Sequence, residues 1–429
     1  MTPRRPYPSW ARWPRAAPAT VERPEWADGL PDLAGLGAPA LAYGRGRSYG
    51  DVCLNDGGAL VDTARLDRLI AFDRAAGVVR AQAGATLADV LAATVPHGWF
   101  LPVTPGTQFV TLGGAVANDV HGKNHRRAGT FGRHVRRLEL VRSSGERLEL
   151  APGDPLFGAT VAGLGLTGLV TWVELALERV PGALIETTDT PFGSLADGLR
   201  LLDAAAGRSP HAVAWLDALR PDRGVVSEGR HVAGAAGPAR PRLRVPAGLP
   251  GWLLSRPTVR AFNALYARRP RARRERIPYA SFFYPLDALR DWPRLYGAGG
   301  FVQYQPVVPH ADAEAVFREI LARVERAGAA PTLAVLKAFG DLASPGRLSF
   351  PMPGVTLALD LPHRGPETVA LVRSLDEVTD AAGGRVYPAK DACMTPARFR
   401  SYYPGWRAFS DHVDPAFSSS FWRRVTAQP

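Results

Sequence analysis

The sequence predicts an α+β protein with more than one structural unit, and three observations support this fold class. In the first part of the chain, short apolar segments alternate with glycine-rich loops and few helical patterns, which is typical of mixed sheets. Residues 301–388 follow the order β-α-β-β-α-β, which predicts a ferredoxin-like antiparallel sheet with helices on one face. With 429 residues, 46% of them hydrophobic, the chain is long enough for two well-buried cores.

The first part is predicted to run to a boundary near residue 185, where the sequence pattern changes after a Val-Pro-Gly turn. Its expected strands are 59–62, 77–83, 134–141, 147–150 and 169–177, and its expected helices are 86–94 and 155–161. Three glycine-rich loops connect these elements. No internal repeat is evident in the sequence.

Polar residues recur on one face of the strands predicted after residue 301. FVQYQPVV is expected to be one strand, followed by a helix at 311–326, two strands, a helix at 367–382 and a strand RVYPAK. Because side chains alternate across a strand, alternate positions share a face. The polar residues placed in this way are Gln303, Gln305, Lys337, Thr356 and Asp360. A solvated sheet face is the alternative, but their coincidence on three strands favours a cavity.

The segment 101–134 concentrates six glycines and three histidines. Such glycine runs let the backbone approach a ligand closely, and the threonines and asparagines between them supply donors and acceptors. This pattern favours a large polar ligand with phosphates. A metal is disfavoured, because Gly122 between His121 and His125 argues against a shared helix and no cysteine or acidic ligand accompanies them.

A second glycine loop, Gly44-Arg45-Gly46, has part of a dinucleotide-binding fingerprint. That fingerprint needs a helix after the loop, whereas here a strand follows at 59–62, so a Rossmann fold is excluded. A glycine loop between strands can still hold a pyrophosphate with its amides.

The charge and the cysteine count limit the class of protein. The formal net charge of +12 fits either arginine-rich coding bias or an anionic partner. No apolar run approaches the roughly 20 residues that span a bilayer, and the basic N-terminus lacks the apolar region of a signal peptide. With two cysteines and no disulfide framework, a cytoplasmic location is expected. A nucleic-acid-binding protein is disfavoured because no known nucleic-acid-binding motif is present.

Residues 250–276 combine apolar residues with a cluster of arginines. Apolar anchors followed by cations are typical of a segment that lies on an anionic membrane surface. A solvated, partly disordered loop is the alternative. We expect this loop to make the protein peripheral at the inner face of the cell membrane.

Several motifs occur in order along the chain: Gly44–Gly50 with Asp51, PGTQFVTLGGAVANDVHGKNH, GLGLTG, FVQYQ, LKAFG and YPAKD. Together they resemble the vanillyl-alcohol-oxidase-type (PCMH-type) FAD oxidoreductases that oxidise polyprenylphosphoryl ribose. The resemblance extends from about Trp10 to the C-terminus. It implies an FAD-binding domain at 1–184, a substrate-binding domain at 185–384, and a C-terminal return to the FAD-binding domain at 385–429.

The resemblance also implies roles for individual residues. The residues implied to bind FAD are Arg45, Gly46, Arg47, Ser48, Tyr49, Gly50, Asp51, Thr104, Pro105, Gly106, Thr107, Gly113, Gly114, Ala115, Ala117, Asn118, His121, Gly122, Asn124, Gly168, Leu169 and Tyr387. The residues expected around the substrate are Lys123, Gln303, Gln305, Lys337, Thr356, Asp360 and Lys390. Lys390, His121 and Tyr49 are the candidate catalytic residues, with Lys390 stabilising negative charge and either Tyr49 or His121 relaying the proton.

The implied reaction is oxidation of the 2′-hydroxyl of a polyprenylphosphoryl-β-D-ribose, by hydride transfer to the flavin. A separate NAD(P)H-dependent reductase would complete an epimerisation toward arabinose donors. A soluble sugar-alcohol or aldonolactone oxidase is the alternative. Arg47 stands where some relatives tether FAD to a histidine, which implies a dissociable flavin. Thr356 and Ala358 stand where mycobacterial relatives carry Asn and Cys, so the sugar itself stays open.

Overall fold

The computed structural model describes residues 7–235, 243–246, 254–268 and 274–428. The strands of the first part are β1 (Thr20–Glu22), β2 (Ala40–Tyr43), β3 (Ala59–Asp62), β4 (Leu69–Asp73), β5 (Val78–Gln82), β6 (Trp99–Phe100), β7 (Val135–Val141), β8 (Arg147–Leu150), β9 (Leu169–Ala176) and β10 (Glu178–Arg179). The α-helices among them are α1 (Leu87–Thr94), α2 (Leu112–Ala117), α3 (His125–Ala128) and α4 (Pro155–Thr160).

Eight of these strands form a small parallel sheet and a larger antiparallel one, and β6 and β10 pair with each other. The parallel sheet has the order β1-β3-β2, and the antiparallel sheet has the order β4-β5-β9-β7-β8. Helix α1 begins where the sequence predicts, because Thr86 and Asp89 form a reciprocal capping box. Its apolar residues Leu87, Val90 and Leu91 are buried in the core beside the antiparallel sheet.

The rest of the chain is organised around a nine-stranded sheet. The further strands are β11 (Leu184–Phe192), β12 (His211–Leu216), β13 (Gly224–Val232), β14 (Leu243–Arg244), β15 (Glu275–Pro278), β16 (Leu289–Arg290), β17 (Phe301–Tyr304), β18 (Pro306–Val308), β19 (Leu333–Phe339), β20 (Gly354–Pro362) and β21 (Arg385–Val386). The further helices are α5 (Leu195–Arg208), α6 (Arg256–Ala267), α7 (Tyr279–Phe283), α8 (Ala313–Arg326), α9 (Pro366–Ala381), α10 (Pro396–Tyr402), α11 (Trp406–Ser410) and α12 (Ser420–Thr426).

The nine-stranded sheet consists of two halves that meet where β12 pairs with β19. Its order is β15-β11-β13-β12-β19-β20-β18-β21, with β17 also paired to β20. The second half has the β-α-β-β-α-β order and the antiparallel pairing predicted for residues 301–388. The first half repeats the same strand order, which the sequence pattern alone did not reveal.

Three predictions about local structure were wrong. FVQYQPVV is two short strands that break at Gln305, because β17 and β18 pair with different stretches of β20. RVYPAK is a strand only at Arg385–Val386, and a turn follows in which the N–H of Lys390 donates to the carbonyl of Tyr387. The segment 250–276 is not all loop: within it lie α6 and the first half of β15, whereas 250–253 and 269–273 fall outside the described residues.

The C-terminal segment packs back onto the first part of the chain. Ala40 exchanges backbone hydrogen bonds with the 416–418 segment, at 2.6 and 2.9 Å. The buried carboxylate of Asp414 pairs with Arg142 at 3.2 Å and accepts from the N–H of Ser143 at 2.8 Å. The YPAKD turn, earlier in the same return segment, lies beside the Gly44–Gly50 loop, where the N–H of Tyr49 donates to the carbonyl of Ala389 at 2.9 Å.

Candidate active site

Lys390 lies directly against Tyr49. Its ammonium nitrogen is 3.4 Å from the centroid of the Tyr49 ring, a distance at which the ring attracts a cation. The two backbone segments run side by side, because the Tyr49 N–H donates to the carbonyl of Ala389 at 2.9 Å. A Cβ on Gly50 would lie 1.5 Å from the carbonyl oxygen of Asp391, so this approach requires glycine.

Arg424 joins these two segments from the last helix. Its guanidinium pairs with Asp51 at 2.7 Å and with Asp391 at 2.8 Å, and both carboxylates are buried. Both oxygens of Asp51 are used in this way, so its side chain is directed at Arg424. The Asp51 side chain therefore holds the loop in place, and its contact with FAD stays a prediction.

Polar residues cluster on the face of the nine-stranded sheet that is opposite to α5, α8 and α9. Lys337 of β19 and Thr356 of β20 are direct cross-strand neighbours, and so are Gln303 of β17 and Asp360 of β20. The Gln303 amide donates to Asp360. Burial raises the pKa of Asp360, and burial lowers that of Lys390, whose ammonium the Asp360 carboxylate partly stabilises.

The whole sequence contains three lysines, Lys123, Lys337 and Lys390, among 52 basic residues of the Lys and Arg types. All three come together here. Desolvation lowers the pKa of Lys337 to about 8. Desolvation, together with the charge of Lys337, lowers the pKa of Lys123 to about 7. A chain that otherwise uses arginine keeps a compact, titratable ammonium at these positions.

Lys123 is held by the short helix α7. It donates to the carbonyl of Phe282 and lies 4.3 Å from the centroid of that ring. Its own carbonyl accepts from the N–H of Ala212 at 2.9 Å, which ties the segment 101–134 to β12.

His121 is buried between the two parts of the chain. Its Nε2 lies 3.1 Å from Nε2 of Gln305, and aromatic rings of Phe339, Phe350 and Tyr387 surround it. Burial lowers the pKa of His121 well below its ordinary value, so the ring is neutral. The preceding turn is fixed by Asp119, which has a positive φ of 40°.

The glycine loops leave polar groups and backbone free for a bound FAD. No heavy atom lies within 4 Å of the place a Cβ would take at Gly106. Among the described residues, Nε of Arg47 and Oδ1 of Asn118 are buried without a hydrogen-bond partner. Arg47 lines a cleft of about 300 Å³ with Trp10 and aromatic Phe109. Orphaned donors and acceptors beside open glycine backbone fit a polar, phosphate-bearing cofactor.

Not every residue expected at the cofactor points toward this region. The side chains of Ala115 and Leu169 are fully buried in apolar cores. Arg45 is exposed, and the Asn124 amide donates to the carbonyl of Pro102 at 2.8 Å. The contacts of these four residues with FAD stay predictions.

Sequence reasoning missed two residues that organise the site. Arg424 gave no signal, because its carboxylate partners lie far away in the sequence. Asp119 accepts from the N–H of Gly132 at 2.8 Å and from the hydroxyls of Ser344 and Ser349 at 2.5 and 2.6 Å. It thereby ties the segment 101–134 to residues 341–350. The concentration of every lysine in three motifs was the signal that the sequence did offer.

Comparison with known proteins now adds to this geometry. Residues 32–151 match a family model described as an FAD binding domain. The chain is 34% identical over 414 residues to decaprenylphosphoryl-β-D-ribose oxidase of Mycolicibacterium smegmatis, covering 91% of this chain and 89% of that protein. The chain belongs to this family of FAD-dependent oxidoreductases. It is thus an FAD-binding enzyme, as the resemblance implied.

Two other flavoenzymes share only part of the family pattern. An alditol oxidase from a Streptomyces species is 33% identical over 162 residues, covering 37% of this chain and 38% of its own length. An L-gulono-1,4-lactone dehydrogenase of Mycobacterium tuberculosis is 30% identical over 211 residues, covering 48% of each chain. The decaprenylphosphoryl-β-D-ribose oxidase therefore aligns with most of the chain, whereas these two enzymes align with less than half of it.

Among the described residues, none of the helices is both long and apolar enough to cross a membrane.

Proposed function

We propose that this enzyme oxidises a secondary hydroxyl of a polyprenylphosphoryl sugar, most simply the 2′-hydroxyl of its β-D-ribose, to the ketone. The observation that carries the proposal is the convergence of all three lysines of the chain on one half-buried site, where burial and then the charge of Lys337 lower the pKa of both Lys123 and Lys390. Such a site favours an anionic substrate over a neutral polyol. The similarity to decaprenylphosphoryl-β-D-ribose oxidase over 91% of the chain supports the same substrate class.

Each polar residue has a proposed task. Lys123 and Lys337 bind the phosphodiester, because neither has a carboxylate hydrogen-bonded to it among the described residues. Gln303, Thr356 and Asp360 lie on one sheet face and are proposed to bind the sugar hydroxyls. Thr356 and its neighbour Ala358 shape the sugar-binding surface, and they determine which pentose fits.

Bound FAD supplies the acceptor for the two electrons and the hydrogen that leave the carbinol carbon. We propose that the Lys390 ammonium stabilises the negative charge that develops as the hydroxyl loses its proton. Tyr49 holds Lys390 in place through its ring, and Tyr49 or His121 is the candidate to relay the proton. The ion pairs of Arg424 with Asp51 and Asp391 fix the position of Lys390 relative to Tyr49.

The divided chain is proposed to serve this chemistry. We assign 1–184 and 385–429 to an FAD-binding domain and 185–384 to a substrate-binding domain. Lys390 lies just after the chain has returned to the FAD-binding domain. From there it faces the polar sheet face of the substrate-binding domain.

Helix α6 is proposed to contact the membrane that holds the lipid substrate. Phe262 and Leu265 are 60% and 70% exposed on one side of this helix, beside Arg260 and Arg268. The ring of Tyr266 lies 4.7 Å from that of Trp215, whose cross-strand partner Val335 shares a sheet face with Lys337. Helix α6 thus lies on the same side of the sheet as the substrate residues. A cytoplasmic, peripheral location at the inner membrane face follows from this proposal.

The keto sugar is proposed to pass to a separate NAD(P)H-dependent reductase, since reduction on the opposite face would complete an epimerisation. The second candidate function is oxidation of a soluble sugar alcohol or aldonolactone, which the partial similarities to an alditol oxidase and a lactone dehydrogenase favour.

Anaerobic bleaching of the flavin absorbance separates the two functions. We expect bleaching by polyprenylphosphoryl ribose and little by ribose, xylitol or gulonolactone at equal concentration. Ribose 5-phosphate is the matched control for charge without lipid. Bleaching by the soluble polyols alone would replace the proposal with the second function.

A further inference from the structure

Gln305 lies at the break between β17 and β18 and connects His121 to the polar sheet face. Its Nε2 is 3.1 Å from Nε2 of His121 and 3.4 Å from Oγ1 of Thr356. The three side chains are 4%, 5% and 1% exposed, for Gln305, His121 and Thr356 respectively. The backbone of Gln305 is also fixed, because its carbonyl accepts from the N–H of Tyr387 at 3.1 Å.

The direction of this hydrogen-bond chain is decided at Pro306. A backbone carbonyl only accepts, and Oγ1 of Thr356 lies 2.7 Å from that of Pro306, so the Thr356 hydroxyl donates its single proton there. Oγ1 of Thr356 is left as an acceptor. The Gln305 amide must therefore turn its NH₂ group toward Thr356, and the same nitrogen faces His121.

We infer that His121 is held as the neutral tautomer with its proton on Nδ1, and that Gln305 and Thr356 are positioning residues that fix this tautomer. An amide NH₂ group cannot accept, so Nε2 of His121 is the acceptor of this contact. Nδ1 of His121 is buried and has no hydrogen-bond partner among the described residues. Its N–H is then available to an acceptor oxygen or nitrogen of a bound ligand, either the flavin or the sugar.

The surroundings keep the imidazole in this neutral form. The apolar rings around it remove water, and Lys337 and Lys390 add positive charge near it. Both effects disfavour the imidazolium. In the oxidation, and this part rests on the proposed function, His121 donates a hydrogen bond and does not accept the hydroxyl proton, so Tyr49 is left as the candidate to relay that proton. The one unprotonated nitrogen of His121 is already occupied by Gln305.

Nitrogen NMR of histidine labelled at both ring nitrogens tests the tautomer directly. His121 is assigned by the loss of its signals in His121→Asn. His125 is an internal control, because its Nδ1 accepts from the N–H of Gly340 at 3.3 Å and its proton must lie on Nε2. We expect opposite tautomers for the two residues in one spectrum. A proton on Nε2 of His121 would overturn the inference.

Two substitutions test the positioning residues. Gln305→Glu replaces the donor with an acceptor, so we expect the proton to move to Nε2 and His121 to stay protonated to higher pH. Thr356→Val removes the hydroxyl that orients the amide and should give mixed tautomers, while Thr356→Ser should keep one. An unchanged His121 signal in Gln305→Glu contradicts the inference. The wild-type spectrum decides the question even if a variant does not fold.

Addition of ligand identifies the acceptor. A shift of the Nδ1–H signal on FAD loading assigns it to the cofactor, and a shift only on adding polyprenylphosphoryl ribose assigns it to the sugar. No shift with either ligand contradicts the proposed donor role. A protein with the expected tautomer but no turnover of that sugar would refute the proposed function and leave the tautomer assignment standing.

Discussion

Arg424 and Asp391 form an ion pair of 2.8 Å that fixes the turn carrying Lys390. The Asp391 carboxylate also accepts from the N–H groups of Cys393 and Met394, both at 2.9 Å. The same guanidinium holds Asp51, two residues after Tyr49, at 2.7 Å. One side chain of the last helix therefore sets the position of Lys390 relative to Tyr49.

Removing Arg424 should damage both stability and turnover. Arg424→Met leaves two buried carboxylates unpaired, and breaking a buried pair of this kind costs about 3–5 kcal/mol. Urea unfolding measures this loss. Neighbouring Arg423 is exposed and bonds Asn55 and Asp56, so Arg423→Met is the matched control and should cost much less. Equal losses of unfolding free energy in the two variants would contradict the assignment of Arg424 as the residue that fixes Lys390 and Tyr49.

Substitutions of Lys390 and of Lys337 should change different steady-state constants. Lys390→Ala removes a charge that acts on the transition state, so we expect kcat to fall about 10²–10³-fold with FAD retained. Lys337→Ala removes an interaction with the phosphate that is equally strong in the bound substrate and in the transition state, so it should mainly raise KM. Flavin content is measured alongside by absorbance. Near-normal kcat in flavin-loaded Lys390→Ala would refute its assignment.

The affinity for the anionic substrate should depend on pH between about 7 and 8. The pKa of Lys123 is about 7 and that of Lys337 about 8, both lowered first by burial. An ammonium is charged below its pKa, so kcat/KM, which reports the free enzyme, should fall as the pH rises through this range. Lys337→Arg, which stays charged, should move this fall to higher pH, and an unchanged pH profile in that variant would contradict the role of Lys337.

Carbon NMR of labelled lysine checks those pKa values without turnover. A chain with three lysines gives three side-chain signals, which Lys123→Arg, Lys337→Arg and Lys390→Arg assign one at a time. We expect all three to titrate below the ordinary lysine pKa of about 10.4. A signal that titrates at the ordinary value would remove that lysine from the buried cluster.

The sequence predicted the regular elements well and the site incompletely, for physical reasons. Helices α8 and α9 and the strands around Lys337 carry strong apolar periodicity, so their limits were expected to within a few residues. The break at Gln305 depends on pairing with distant β20, and periodicity does not report such pairing. Arg424 stabilises the site through partners 373 and 33 residues away, and no local pattern records that contact. Helix α6 was not predicted, because the sequence around it is rich in arginine and proline and reads as a loop.

The flavin should be released by acid. Arg47 lies in the glycine loop where some relatives carry a tethering histidine, and its guanidinium stacks 3.8 Å from the Trp10 ring centroid. Acid precipitation should therefore leave the yellow colour in the supernatant. Flavin fluorescence in the washed pellet would reveal a covalent link at another residue. Free riboflavin mixed with the protein before precipitation controls for trapping.

Helix α6 should carry much of the attraction to anionic membranes. Phe262 and Leu265 are exposed beside arginines, and each basic residue near such a surface adds roughly 1 kcal/mol. The double change Phe262→Ser and Leu265→Ser should weaken sedimentation with phosphatidylglycerol vesicles, because full burial of such a side chain is worth about 1.5–3 kcal/mol.

Leu69 and Ile70 of β4, 48% and 49% exposed, provide a matched control pair for the same change to serine. Equal binding by the two double variants would place the membrane contact elsewhere. Loss of binding in the α6 variant together with a raised KM for the lipid substrate, but not for ribose 5-phosphate, would identify α6 as the surface through which the enzyme reaches its lipid.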